Sequence, residues 1–270
     1  MNNIKSFLRD VRDNNYKVPE GTDIDQVVQE MIQHIGSIDE ELRDQLIYGT
    51  LSKWIMNQEL SIETVRKVLY VTLDDDHLFY GIGDNDQDTV FTRSFSVLFI
   101  PLALHYNDIS NYLTETDYEY IYSRVTLYFE LEKDFRGYVL DKGWAHSIAH
   151  SADALDSIVA STYYSHEQIL FILELVGAKA CVNNYYFTNG EDERIAEVVL
   201  QIVKRNTLKK NIIINWVQQL GGFERLGIYP QDEIIRGNIK NLLRSVYFKL
   251  LDISGSEVIT NEIIKTLKQL

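Results

Sequence analysis

Three prolines in 270 residues are the strongest constraint on what this chain can become. Proline stops a helix because it lacks a backbone N–H and its ring clashes with the preceding turn. Where it is rare and apolar residues recur at three- and four-residue steps, helices joined by short connections are the expected result. Those steps run through most of the chain. Ile4, Phe7, Leu8 and Val11 share one face of a first helix. Val27, Val28, Met31, Ile32 and Ile35 share one face of a second, capped by Thr22 or Asp23 after the Pro19-Glu20-Gly21 turn. A third begins near Ser37 or Asp39 and carries Leu42, Leu46, Leu51, Trp54 and Ile55; Ser61 starts a fourth with Ile62, Val65, Val68 and Leu69 inward.

The pattern continues beyond a polar interruption at Asp74–Asp88. A helix over residues 89–106 contains Arg93-Ser94-Phe95-Ser96 and should kink at Pro101. Thr116 or Asp117 opens a Tyr-rich helix to Leu131, and Ser165-His166-Glu167-Gln168 reads as a capping box. Helices follow over 191–205, 208–220 and 231–251. Ser254-Gly255-Ser256 precedes a last one with Ile259, Ile263, Ile264 and Leu267 inward. No stretch alternates long enough to require a sheet. The expected fold is all-α: one domain over 1–270, built as an α-α superhelix or HEAT-like stack of antiparallel helix pairs. Pairs recur at about forty residues, and neither member of a pair can bury its apolar face alone.

Charge narrows the partners. The 26 basic against 40 acidic residues give −14, a field that repels phosphate backbones and anionic lipid, so neither nucleic acid nor a membrane is an expected partner. The longest apolar run, Val97 to Leu104, is too short for a bilayer, and the first ten residues lack the apolar core of a secretion signal. A lone Cys181 allows no internal disulfide and fits a reducing cytoplasm. Asp84, Asp86 and Asp88 imitate the opening of a calcium loop. Thr89 stands where its turn glycine belongs, however, and Phe95 where its closing Glu belongs, so the loop is read instead as capping the next helix through Asp88 or Thr89.

The stretch Asp134–Asp156 gathers Arg, Trp, two His and several Asp into one short segment. Wound as a helix from Asp141 or Lys142, with Asp141 as N-cap, it places His146, His150 and Asp153 within about 60° of one another. Trp144, Ile148, Leu155 and Val159 fall on the opposite face. Two His at i and i+4 can share a divalent metal, but Ser147 stands where a metalloprotease helix has its general base, and Asp153 lies about 10 Å along the axis from His146. A metal on His146 and His150 therefore needs a third ligand from elsewhere, and no cofactor motif is present. Arg93 sits in an otherwise apolar run, and a buried Arg needs either a carboxylate, Asp134 or Asp153 by this reading, or an anionic ligand.

Asp134-x-Arg136-Gly137-Tyr138-Val139, followed by Lys142-Gly143-Trp144-Ala145-His146-x-x-Ala149-His150-x-Ala152-Asp153, resembles the DUF2785 proteins. Val90-Phe91-Thr92-Arg93-Ser94-Phe95-Ser96 and Glu191-Asp192-Glu193-Arg194-Ile195-Ala196 extend the resemblance in order over the middle half of the chain. It implies an all-helical superhelical domain in a soluble bacterial protein and carries no activity with it.

Three functions stay open on the residues. One is a binding module whose acidic, Tyr-rich groove holds a peptide, protein or small ligand near Arg93, Arg136, Asp141, Trp144, His146, His150 and Asp153. The second is a hydrolase-like enzyme using His146 or His150 as base or metal ligand and Asp153 to orient it. The third is a motif that only locks helices together.

Overall fold

The computed structural model describes residues 2–270 and is mainly helical, with a single short β-hairpin among the described residues. The chain divides into two compact units, Met1–Ala154 and Leu155–Leu270. In unit 1, α1 (Asn2–Asp13) and α2 (Ile24–Gln33) are followed by a π-helical segment, Glu41–Tyr48, which runs directly into α3 (Gly49–Met56). Then come α4 (Ile62–Thr72), α5 (Thr89–Val97), α6 (Phe99–Ser110) and α7 (Glu115–Leu131). A hairpin of β1 (Tyr138–Val139) and β2 (Gly143–Trp144) precedes α8 (Ser147–Ala160), which contains the unit boundary. α3 and α4 both pack on α6, and α1 packs on the π-helical segment.

Unit 2 continues with α9 (His166–Ala180), α10 (Glu191–Arg205), α11 (Lys210–Gly221), α12 (Gln231–Leu250) and α13 (Glu257–Gln269). Its main contacts skip one helix: α10 lies against α12 and α11 against α13, while α12 meets α13 and α9 touches α10, α11 and α12. Each helix thereby covers its apolar stripe with the next-but-one helix, as stacked helices do. Among the described residues no helix is long and apolar enough to cross a membrane.

The caps explain most boundaries. The Asp23 side chain accepts from Gln26 N and that of Ser61 from Thr64 N. The Ser165 capping box is present, with Gln168 reaching back to the cap amide. α7 opens two residues before the expected point: Thr114 is the cap, and Asp117 is the N3 partner that completes its box. Pro101 acts upstream of itself. A proline at 101 cannot donate to Val97 O, and the helix breaks at Leu98 between α5 and α6 rather than kinking at the ring. Asp88 precedes α5 but makes no side-chain cap bond; it is engaged elsewhere. On α13, Ile259 and Ile263 are buried as expected, whereas Ile264 is exposed.

The largest departure lies in the motif. Residues 138–146 form no helix. Lys142 N donates to Val139 O at 3.1 Å, closing a turn, and Asp141 and Gly143 take positive φ of 64° and 78°. Asp and Gly tolerate that region far better than most residues, which makes Asp-Lys-Gly a turn rather than a first helical turn. A Cβ on Gly143 would also come within 2.5 Å of Glu40 side-chain carbons. Asp141 is therefore an exposed turn residue and not a helix cap. α8 begins at Ser147, with the His146 carbonyl accepting from His150 N at 2.9 Å.

Candidate functional site

The hairpin is fastened to unit 1 from below and from both sides. Beneath it, Ala145 is buried with Val90 and Phe91 of α5, and Val139 packs against them. Its strands pair Tyr138 with Trp144 and Val139 with Gly143. Ala145 N and His146 N extend the ladder to Gly137 O (2.8 Å) and Arg136 O (3.1 Å). From the acidic loop before α5, Asp88 holds Lys142 at 2.6 Å, and Asp86 lies 3.6 Å from Arg136. Two of the three carboxylates that imitate a calcium loop, Asp86 and Asp88, thus clamp the hairpin.

Three arginines set its position. Arg43, from the π-helical segment, is fully buried and donates to the carbonyls of Ser37 (2.6 Å), Lys142 (2.7 Å) and Trp144 (3.3 Å). Its guanidinium lies over Phe91 and Phe95, 4.2 and 4.8 Å from the ring centroids, a stacking that suits a planar cation. Burial pushes Arg43 down to about 10 against the fields of Asp44, Glu40 and Asp39, so it is charged at neutral pH. Arg93 is also fully buried, and its carboxylate partner is Glu132, not Asp134 or Asp153. The fork is bidentate, Nε to Oε2 at 2.7 Å and an Nη to Oε1 at 3.0 Å. The other Nη reaches Tyr80 O, Gly81 O and Thr89 Oγ1. Burial opposes the charge on Arg93, but the bond and field of Glu132 outweigh it and hold the guanidinium above its ordinary value.

Glu132 carries the network onward. Its Oε1 accepts from the amides of Lys133 and Asp134, and the buried Asp134 carboxylate accepts from Arg136 Nε (2.8 Å) and Nη (2.6 Å). The bond to Asp134 raises Arg136 above its ordinary value. Ser147 Oγ donates to Asp134 O, tying the first residue of α8 to the same strand of charge.

Arg93 thus takes part in the site only as a strut, with no surface to offer a ligand. Trp144, His146 and His150 are brought together. Trp144 stacks on His146, centroids 4.1 Å apart, and His146 meets His150 edge to face at 5.7 Å. Tyr138 closes on the Trp144 ring at 5.0 Å, and His150 reaches Phe95 at 5.2 Å, with its Nδ1 3.1 Å from Ser94 O. His146 takes positive φ (47°), uncommon for a residue with a Cβ and costing of order 1 kcal/mol. That backbone bend lets the ring lie back on Trp144. Asp153 sits half-buried on α8 and Asp141 stands apart at the turn. Among the described residues no group of three or more His, Cys, Asp or Glu is placed to hold a metal ion, so the His146–His150 pair finds no third ligand there.

Sequence reasoning missed Arg43 and Glu132. Both were findable: Ile121, Val125, Tyr128 and Phe129 form the buried stripe of α7, and Glu132 falls on it one step further. Arg43 likewise interrupts a buried run with Leu42, Leu46 and Ile47.

A family model described as "Protein of unknown function (DUF2785)" matches residues 78–248, which takes in the acidic loop, α5, the hairpin and both ends of the Arg93–Glu132 pair. The chain belongs to the DUF2785 family. No curated protein and no solved structure matches it. The hairpin network therefore lies within the family's span except for Ser37, Glu40 and Arg43, which come from the N-terminal part of this chain.

Proposed function

We propose that this DUF2785 protein is a non-catalytic binding module whose recognition surface is the strip Tyr138–Trp144–His146–His150. One observation carries the reading: a Trp–His stack half open to solvent on a hairpin that two buried arginines and two ion pairs hold in place. A rigid aromatic face binds planar groups, aromatic rings or guanidinium, with little ordering cost, and the surrounding acidic chain favours a cationic one. Tyr138, 49% exposed, and Leu140, 79% exposed, extend the strip to the hairpin tip. A short peptide carrying Arg or an aromatic residue is the partner class this fits. A cytoplasmic setting belongs to the same proposal, on the strength of the lone Cys181.

Trp54 is wholly buried and Trp216 is 5% exposed, so ligand contact is read mainly at Trp144. A ligand-observed NMR screen of short Arg- and Trp-bearing peptides should find binders that quench indole fluorescence. Trp144→Ala should abolish their binding while leaving the far-UV dichroism intact. Binders unaffected by Trp144→Ala, or none in the library, would remove this surface as the recognition site.

The purely architectural reading keeps one specific support. Arg93, Glu132, Asp134 and Arg136 spend most of their polar atoms on one another, on backbone and on neighbouring Thr89 and Asp86. We assign those four to support and the aromatic strip to recognition.

A further inference from the structure

Unit 2 contains a recess of its own, far along the sequence from the hairpin. It has a volume of about 440 Å³, within the range of small-molecule pockets, and lies between α9, α11 and the loop after α11. Trp216, Leu220, Phe223 and Leu226 give it an apolar lining. Both charged side chains in its lining are glutamates, Glu174 and Glu224, and neither is engaged in a salt bridge among the described residues. The loop wall is built rather than slack: Asp232 accepts from Leu226 N (2.8 Å) and Gly227 N (2.9 Å). Gly177 of α9 packs directly against the indole, since a Cβ there would come within 2.6 Å of Trp216 Nε1. That indole nitrogen is buried and has no hydrogen-bond partner.

We infer that this recess binds a small amphipathic amine, its apolar body on Trp216 and Phe223 and its ammonium between Glu174 and Glu224. The charge of the rim decides the class. An anion would meet two carboxylates and no cation, a neutral apolar molecule would leave both carboxylates facing it unused, and an ammonium satisfies both. The aromatic lining adds attraction for the same cation.

Cys181 lines the recess and is the one cysteine of the chain, so its alkylation reports occupancy at this place alone. Burial raises the thiol, so the assay belongs at mildly alkaline pH. The probes are 2-phenylethylamine, 2-phenylethanol and phenylacetate, which share one ring and differ in charge. The amine should protect Cys181 at about tenfold lower concentration than the alcohol, the combined effect of two rim ion pairs, and phenylacetate should protect least. Glu174→Gln with Glu224→Gln should remove that tenfold advantage without changing Tm, because both side chains are exposed. Ala178→Trp, which fills the recess from an exposed lining position, should abolish protection by every probe. The inference is overturned if the alcohol protects as well as the amine, if the double Gln variant behaves as wild type, or if the amine gives no protection at millimolar concentration.

Discussion

Replacing Glu132 by Leu tests the buried lock most severely. The substitution removes both charge-assisted bonds to Arg93, at 2.7 and 3.0 Å, and leaves a guanidinium with no solvent exposure facing only Tyr80 O, Gly81 O and Thr89 Oγ1. It also strips the amides of Lys133 and Asp134 of their acceptor. Two unit charges about 4 Å apart attract by about 4 kcal/mol at an effective dielectric near 20, and breaking a buried pair from one side costs about 3–5 kcal/mol. The expected loss is therefore about 4 kcal/mol, a large part of the stability of a domain this size. Arg93→Met should cost a similar amount, because it leaves the carboxylate buried instead. The double variant should lose much less than the sum, since replacing both members with apolar groups removes the uncompensated charge. Guanidinium-induced unfolding followed by far-UV dichroism measures all three. A single-variant loss under about 1 kcal/mol, or simple additivity in the double, would refute the buried-lock argument.

Three further outcomes follow from particular contacts. Arg43→Lys keeps the charge but loses the fork onto Ser37, Lys142 and Trp144 carbonyls and the stacking on Phe91 and Phe95; a drop of about 2 kcal/mol in unfolding free energy is expected. Gly143→Ala imposes a Cβ at φ 78° against Glu40 and should cost about 1–2 kcal/mol, partly recovered in a Glu40→Ala background where only the backbone strain is left. Asp117 is buried, which by itself would raise its carboxyl, but donors on Tyr70, Thr114 and Arg66 outweigh that and hold it at about 2. A carboxyl that ionises more readily folded than unfolded stabilises fully above its ordinary 3.8 and loses that contribution as pH falls toward 2. Wild type should therefore lose about 2 kcal/mol relative to Asp117→Asn across that window, measured as unfolding free energy against pH.

Much of the helical framework was legible because it depends on local chemistry. Ser61, Asp23 and Ser165 cap the helices their positions suggest, and Glu191–Arg205 begins and ends where the apolar period does. The sequence points to Thr116 or Asp117 rather than Thr114 because Asp117 offers itself equally as a cap and as the partner of one; only the Thr114 side chain accepting from Asp117 N decides. The hairpin was missed for a different reason. Ile148, Leu155 and Val159 keep helical period from a start at Ser147, and Trp144 happens to fit an extension of it. The Asp-Lys-Gly turn chemistry overrides that fit at three positive-φ positions, Asp141, Gly143 and His146. Arg93 was recognisable as buried from its apolar neighbours. Glu132 is legible as buried too, but its pairing with Arg93 is not, because the two lie 39 residues apart and pairing over that distance is decided by packing. The consequence for the site is direct: His146 and His150 meet as one element stacked against the start of another, not as an i, i+4 pair on a single helix.

Recognition at this surface requires the motif to be a rigid hairpin that presents Trp144 and His146. Amide hydrogen exchange at Ala145 and His146 tests this most directly, because their N–H groups close the ladder onto Gly137 O and Arg136 O. Both should exchange as slowly as the buried core of α5 in wild type, and much faster in Arg43→Met, which removes the strut beneath them. Exchange at the rate of an open chain in wild type, with α5 still protected, would contradict it.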